Sequence, residues 1–186
     1  MRANRAHTRS LAELLRRISN PQPKVCEVGV LEAENCCPLA EMEPEAQFWL
    51  IDPYQPVGDK DVHREIGGWS QEQFSGAMLK AIGRMRPFSS RVRWIFAKDY
   101  EAAEFLPDRF FDLVFLDHLH DLGSMNRSLP IWTKKVSSRG FLSGHDYGGL
   151  QDRRGHGGVK EAVDRFFGDC GMDVETMSGN VWAVRL

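Results

Sequence analysis

Short apolar runs alternate with segments of helical spacing along most of this chain. The run from Phe110 to Asp117 is nearly continuous and rich in aromatic and β-branched residues, which is typical of a strand buried on both faces. Four further runs predict strands at Lys24–Val30, Gln47–Asp52, Arg91–Ala97 and Gly140–Gly144. Because strands that alternate with helices form parallel sheets, the pattern predicts an α/β fold with helices on both faces of the sheet.

The segments between these strands carry apolar residues every three or four positions, as amphipathic helices do. In the clearest of them, Ser70–Met85, Ser70 is expected to cap the helix and Ile82 to lie on its buried face. Other helices are predicted at Ser10–Ile18 with Ser10 as its cap, around Leu39–Met42, at Glu101–Phe105, at Leu129–Val136 with Pro130 in its first turn, and at Val159–Phe167.

The end of the chain predicts a β-hairpin that adds one antiparallel strand. Its two strands, Met172–Met177 and Val181–Leu186, flank a turn signal of Ser178, Gly179 and Asn180. A chain of 186 residues can bury one substantial core. We therefore expect a single domain over residues 1–186, with residues 1–23 forming a helical flank.

Composition narrows the class of protein. The net charge of -2 gives no basic surplus for nucleic acid or an anionic membrane, and no apolar run is long enough to span a bilayer. The four cysteines show neither disulfide-framework nor paired-ligand spacing, which predicts reduced thiols in a cytoplasmic protein. The N-terminal helix could serve as a dimer contact, so a homo-oligomer is one expectation.

Acidic residues at the strand ends favour one class of cofactor. Asp52, Asp99 and Asp117 each end or follow a predicted strand, so they should meet at one edge of the sheet. The turn at Gly29 lacks the further glycines of dinucleotide-binding turns, and its two glutamates would repel phosphate. A cationic donor without phosphate, S-adenosylmethionine, suits this turn better, and Asp52 is placed to accept hydrogen bonds from its ribose hydroxyls.

Five motifs carry a resemblance to a known family. They are E-V-G-V-x-x-x-x-N at Glu27–Asn35, I-D-P-Y at Ile51–Tyr54, F-D-L-V-F-L-D-x-x-H at Phe111–His120, G-F-L-S-G-H-D-Y at Gly140–Tyr147 and G-V-K-E-A-V-D-R-F-F at Gly158–Phe167. From about residue 24 to its end, the chain resembles class I S-adenosylmethionine-dependent methyltransferases. Within that class it is similar to the small subgroup of cephalosporin-hydroxylase-like and macrolide sugar O-methyltransferase-like proteins.

The resemblance implies a fold and a cofactor site. The fold is the Rossmann-like class I methyltransferase fold, with a seven-stranded, mostly parallel sheet whose last strand is antiparallel. Ala33 departs from the family at a position where a second glycine is usual, so its methyl group could narrow the approach to S-adenosylmethionine. The cofactor-binding positions implied are Glu27, Gly29, Asp52, Asp99 and Asp117.

The resemblance and the residue chemistry together suggest catalytic roles. His120 matches the base of the Asp-x-x-His motif, and an imidazole is suited to removing a proton from a hydroxyl near neutral pH. Asp117 is the second catalytic candidate. His145 and Asp146 end the neighbouring strand, so Asp117, His145 and Asp146 could hold a divalent metal such as Mg²⁺ or Mn²⁺. Because histidine is a poor magnesium ligand, a metal bound by His145 should be a transition ion. His118 should point away from Asp117.

Three functions remain open from the sequence. The first is methyl transfer to a hydroxyl of a small molecule such as a sugar-bearing metabolite, with metal assistance as one variant. The second is a degenerate donor-binding module without catalysis, and the third is a metal-dependent hydrolase. Two segments are candidate substrate-covering loops, Gly58–Trp69 and Gly148–Gly158, the second of which carries Arg153, Arg154 and His156.

Overall fold

A computed structural model describes residues 5–57, 66–148 and 157–186. Its helices are α1 (Arg5–Arg16), α2 (Cys36–Met42), α3 (Gln71–Met85), α4 (Asp99–Phe105), α5 (Leu122–Lys135) and α6 (Gly157–Asp169), with a 3₁₀ helix at Arg86–Arg91. Its strands are β1 (Lys24–Val28), β2 (Gln47–Ile51), β3 (Val92–Ile95), β4 (Phe111–Leu116), β5 (Val136–Gly144), β6 (Glu175–Met177) and β7 (Val181–Arg185). None of the helices in these ranges has the length and apolarity needed to cross a membrane.

The strands form one seven-stranded sheet in the order β3-β2-β1-β4-β5-β7-β6. Strands β1 to β5 pair in parallel, whereas β7 is antiparallel to both of its neighbours. The predicted Rossmann-like sheet with an antiparallel last strand is therefore confirmed. Strand order reverses between β1 and β4, and open α/β sheets bind ligands at the carboxyl ends of the strands that flank such a reversal.

Alternate residues of each strand pack on opposite faces of the sheet, because side chains alternate along a strand. Leu113 and Phe115 of β4 face the core formed with α1, α2 and α3. Val114 and Leu116 face the second core, which is formed with α4, α5 and α6. Every residue of β4 is buried, as its continuous apolar run predicted. Helices thus cover both faces, and the carboxyl edge is left for the site.

Three details of the predicted helices were wrong. α1 begins at Arg5, before the predicted cap, and Ser10 lies inside it with its hydroxyl donating to the Ser178 carbonyl. α5 begins seven residues before the predicted start, because Asp121 caps it, and Pro130 lies within the helix. Ile82 is 39% exposed, so the buried face of α3 is narrower than its apolar spacing indicated. Local spacing does not record which face finds a packing partner.

Parts of both candidate substrate-covering loops lie outside the described residues. This is the case for residues 58–65, and for residues 149–156 with Arg153, Arg154 and His156. Trp69, at the end of the first loop, packs against Phe74 of α3 with 5.5 Å between the ring centroids. Trp69 therefore packs at the start of α3.

Candidate active site

The glycine turn brings the ends of β1 and β4 into direct contact. Gly29 has a positive φ of +88°, and a Cβ at this position would lie 2.2 Å from the Asp117 carbonyl oxygen. The Asp117 amide in turn donates to the Val28 carbonyl over 2.8 Å. Only glycine combines this backbone angle with so close an approach. The turn therefore fixes Asp117 at the point where the strand order reverses.

Asp52, the predicted ribose-binding acid, holds the backbone around the same point. Its Oδ2 accepts the amides of Val30 and Leu31, each over 2.9 Å, and its Oδ1 accepts the Tyr54 amide over 2.8 Å. Leu31 and Tyr54 both have positive φ angles, of 46° and 47°. Residues other than glycine rarely adopt this backbone conformation, and it recurs at functional sites. Asp52 thus shapes the loop beside the cofactor position that the sequence predicted.

Ala33 does not narrow the cleft as the sequence suggested. Its φ is +59°, which explains the preference for glycine at this position. However, Ala33 is fully buried, and it packs in the core with residues of α1 and α2. The methyl group therefore costs backbone strain, and it is not exposed in the cleft.

Asn35 links two of the predicted acids. Its Nδ2 donates to Asp117 Oδ2 over 2.8 Å and, more weakly, to Glu27 Oε1 over 3.3 Å. Glu27 is 3% exposed. Burial, assisted by the charge of Asp117, raises the pKa of Glu27 to about 8. One amide therefore bridges the acids of β1 and β4.

Asp117, His120, His145 and Asp146 form one compact cluster at the ends of β4 and β5. Asp117 Oδ1 lies 3.6 Å from His120 Nε2 and 3.4 Å from His145 Nδ1. Asp146 contacts both rings, with Oδ2 3.0 Å from His120 Nδ1 and Oδ1 3.1 Å from His145 Nδ1. Parallel pairing of β4 with β5 aligns these strand ends, since Leu116 lies opposite Gly144. The structure thus brings together all four residues that were predicted to be catalytic or metal-binding.

The charges of this cluster support one another. Burial disfavours the charged imidazole of His120, but its bonds to Asp117 and Asp146 outweigh this and raise the pKa of His120 to about 9. The pKa of His145 is raised as well, since contact with Asp117 outweighs its burial. In return, His120 and His145 hold the pKa of Asp117 well below its usual range despite its burial. Asp117 is therefore a carboxylate at neutral pH.

Asp99 belongs to a second network beside this cluster. Its Oδ2 accepts the Ser128 hydroxyl over 2.6 Å and lies 3.6 Å from His118 Nε2. The same nitrogen of His118 lies 2.8 Å from the Ser128 oxygen. Burial opposes ionisation of Asp99, but its hydrogen bonds with His118 and Ser128 lower the pKa to about 2. His118 thus points away from Asp117, as predicted, and it ties α4 to α5.

The remaining acid of the Phe110–Asp121 stretch has a structural task. Asp121 Oδ1 accepts the Ser124 amide over 2.9 Å and caps α5. Capping of this kind satisfies a backbone donor that the helix itself leaves unpaired. The titratable residues after β4 therefore have three roles. Asp117 and His120 belong to the cluster, His118 links α4 to α5, and Asp121 caps α5.

Comparison with known families now decides the class. Residues 27–147, well over half of the chain, match the family model described as a methyltransferase domain. The chain belongs to this methyltransferase family. The matched range contains every residue of the cluster, together with Gly29, Asp52 and Asp99. Comparison with curated proteins gave no significant match.

Solved structures support the same fold. A candidate caffeoyl-CoA O-methyltransferase of Staphylococcus aureus is 14% identical with a TM-score of 0.65, over 96% of this chain and 81% of that one. A candidate O-methyltransferase of Nostoc punctiforme PCC 73102 is 16% identical with a TM-score of 0.65, over 100% of this chain and 57% of that one. The N-methyltransferase NodS of Bradyrhizobium japonicum WM9 is 17% identical with a TM-score of 0.61, over 100% of this chain and 97% of that one.

These findings confirm the predicted class, an S-adenosylmethionine-dependent methyltransferase domain with a Rossmann-like fold. The neighbours named above include both O- and N-methyltransferases, so the fold does not define the acceptor. The acceptor must be argued from the cluster.

The methyltransferase site also has ligand atoms that fit a transition-metal ion. One atom each of Asp117, His120 and His145 lies within 4.8 Å of the others. Tetrahedral coordination with bonds of about 2.0–2.2 Å places neighbouring ligand atoms about 3.3–3.6 Å apart. The separations of 3.4 and 3.6 Å from Asp117 Oδ1 agree with this. Asp146, which the sequence placed in the ligand set, contacts His120 at Nδ1, the nitrogen opposite Nε2, where outer carboxylates orient ligating imidazoles.

Two residues of the site were missed by the sequence reasoning. Asn35 appeared only as the last residue of the first motif, and nothing in its local pattern reveals that it bridges two acids. His7 of α1 is 6% exposed, and its ring centroid lies 4.0 Å from that of His145. A signal did exist for His7, because it precedes the buried Leu11 and Leu14 by four and seven positions, which is the spacing of one helix face.

Proposed function

We propose that this methyltransferase domain methylates a hydroxyl group of a small molecule such as a sugar-bearing metabolite, with His120 as the general base. The observation that supports this proposal is that each nitrogen of the His120 ring faces a carboxylate. Asp146 accepts from Nδ1 over 3.0 Å, which directs Nε2 toward Asp117 and the strand-order reversal. A base in methyl transfer needs this fixed tautomer and orientation.

Cofactor binding and proton transfer would fall to different residues in and around the cluster. S-adenosylmethionine supplies an electrophilic methyl group on a sulfonium centre. Among the described residues, Asp52 Oδ1 accepts one N–H. It therefore retains a lone pair that can accept from a ribose hydroxyl of S-adenosylmethionine. Asp117, which is a carboxylate at neutral pH, supplies negative charge near a cationic donor. As the acceptor oxygen bonds to the methyl carbon and the carbon–sulfur bond breaks, His120 Nε2 takes the hydroxyl proton.

A divalent transition-metal ion is a second way to promote loss of the acceptor hydroxyl proton. Asp117, His120 and His145 would hold it, and the ion would lower the pKa of an acceptor hydroxyl. In this variant His120 is a ligand and Asp146 orients its ring, so His120 is not the base. The two variants compete for the same Nε2 atom, and a measurement of metal content separates them.

Isothermal titration with S-adenosylmethionine, performed with chelator and again with Mn²⁺, tests the proposal. We expect donor binding in both conditions, and methyl transfer to hydroxyl acceptors that falls at least about 100-fold in His120→Gln with donor affinity retained. In the metal-free protein, turnover should rise with pH toward about 9, the pKa of His120. Folded protein that binds Mn²⁺ but no donor would contradict the proposal and favour a metal-dependent hydrolase. Donor binding without turnover over a broad acceptor panel would favour a degenerate binding module.

A further inference from the structure

The N-terminal helix reaches into the cluster through His7. The His7 ring packs on that of His145 with 4.0 Å between centroids and an interplanar angle of 53°. His7 also forms a side-chain hydrogen bond with Asn35. Since the Nδ2 group of Asn35 donates to Asp117 and Glu27, its Oδ1 is the atom that accepts from His7. His7 therefore contacts the neighbours of Asp117 on two sides.

Both contacts converge on one carboxylate. On one side, Asn35 donates to Asp117 Oδ2 over 2.8 Å. On the other side, His145 Nδ1 lies 3.4 Å from Asp117 Oδ1. A displacement of His7 would thus release both the amide and the imidazole that fix this carboxylate. Burial, followed by the nearby His145, lowers the pKa of His7, so its ring is the neutral member of the pair.

The rest of α1 is anchored so that His7 keeps this place. Gly179, in the turn between β6 and β7, lies against His7 so closely that a Cβ there would come within 2.5 Å of the His7 ring. One helical turn further along α1, the Ser10 hydroxyl donates to the Ser178 carbonyl over 2.9 Å. The hairpin turn therefore clamps the same side of α1 that carries His7.

We infer that His7 is a positioning residue of the methyltransferase site, which aligns Asn35 and His145 on either side of Asp117. The inference rests on the proposed function of the cluster. It makes α1 part of the active site, whereas the sequence assigned it only to the flank of the sheet. Outer residues of this kind affect metal affinity or activity by about 10- to 100-fold when they are replaced.

Two variants separate the contacts of His7. His7→Ala removes both the ring contact and the hydrogen bond, and His7→Phe keeps a ring against His145 but cannot bond Asn35. Glu13→Ala is the matched control, because Glu13 is an exposed residue of the same helix and its loss leaves both the anchor of α1 and the groups of the cluster in place. We expect the Kd for Mn²⁺ to rise by about 10- to 100-fold in His7→Ala, by less in His7→Phe, and by less than about twofold in Glu13→Ala.

A spectroscopic readout keeps this test independent of the proposed function. Long-range ¹H–¹⁵N NMR spectra of the metal-free protein should show shifted imidazole signals of His145 in His7→Ala and shifted side-chain amide signals of Asn35 in both His7 variants. If the wild type binds no Mn²⁺, the metal variant of the function fails and these signals alone decide the role of His7. Signals and affinities equal to those of Glu13→Ala would overturn the inference. If His7→Ala does not fold, His7→Phe gives the decisive comparison.

Discussion

Asp117 is the residue on which the site depends, because it is held from three directions. Asn35 donates to one oxygen, and His120 and His145 approach the other. Each of these partners favours the ionised carboxylate, so Asp117 raises the pKa of both histidines in return. Replacing any one partner should therefore change the protonation of the others.

This coupling predicts how stability depends on pH. The pKa of His120 is about 9 in the folded protein and 6.5 in the unfolded chain. Because the folded state binds this proton more tightly, the contribution is fully present below pH 6.5 and is lost as pH rises through about 9. Between pH 6 and 9.5, metal-free wild type should lose about 3 kcal/mol more unfolding free energy than His120→Gln.

Urea unfolding at the two pH values, in the presence of chelator, measures this difference. The variant controls for titrating groups outside the cluster, such as Glu27, whose pKa is about 8. Equal slopes for the two proteins would show that His120 is not held as an imidazolium by Asp117 and Asp146.

The sequence predicted those site residues that stand at strand ends. Asp52, Asp117 and His145 could be found because a parallel sheet brings all carboxyl ends to one edge. His7 and Asn35 could not be assigned, because their roles depend on how α1 and α2 dock on the sheet. Likewise, the backbone amides that donate to Asp52 are positioned by the positive φ angles of Leu31 and Tyr54. No local sequence pattern predicts these angles.

At the scale of elements, helix starts were predictable where a capping signal was recognised. Ser70 and Gln73 form a complete capping box at the start of α3, as the serine before the apolar spacing indicated. Asp121 caps α5 through the Ser124 amide in the same way, but its position directly after two histidines is equally typical of a site residue. Pro130 led to a predicted helix start that was too late in the chain. A proline can be tolerated inside a helix at the cost of one backbone hydrogen bond.

The capping box gives a stability prediction with an internal control. Ser70→Ala removes the bond from the Gln73 amide and should cost about 1 kcal/mol of unfolding free energy. Ser75 lies further along α3, is partly exposed, and its hydroxyl donates back to the Gln71 carbonyl. Ser75→Ala should therefore be neutral or slightly stabilising, since alanine is the better helix former. Equal losses in the two variants, measured by chemical denaturation, would contradict the role of the cap.

Over the whole molecule, the two edges of the sheet carry similar acids with different tasks. Asp52 stands at the carboxyl edge and accepts three backbone amides. Asp112 stands near the start of β4 at the opposite edge, where its Oδ2 accepts from Asn20 and from the Lys24 amide, each over 2.8 Å. The two are 8% and 9% exposed, so they form a matched pair for comparison. Ligand sites belong to the carboxyl edge of such sheets, so only Asp52 should affect the cofactor.

Asparagine substitutions separate the two edges. Asp52 accepts backbone amides on both oxygens, so Asp52→Asn sets an NH2 group against an N–H and should cost about 1–3 kcal/mol of stability. Asp112 accepts its two N–H groups on Oδ2 alone, which an asparagine oxygen can replace, so Asp112→Asn should cost about 1 kcal/mol or less. Only Asp52→Asn should also raise the Kd for S-adenosylmethionine, by at least about tenfold, because it removes charge and disturbs the loop that the carboxylate holds. Calorimetric titration of both variants, at a temperature where both are folded, measures this difference. Weaker binding in Asp112→Asn of the same size would mean that global stability, and not the carboxyl edge, controls donor affinity. Unchanged binding in Asp52→Asn would remove Asp52 from the cofactor site and leave it a loop-shaping role alone.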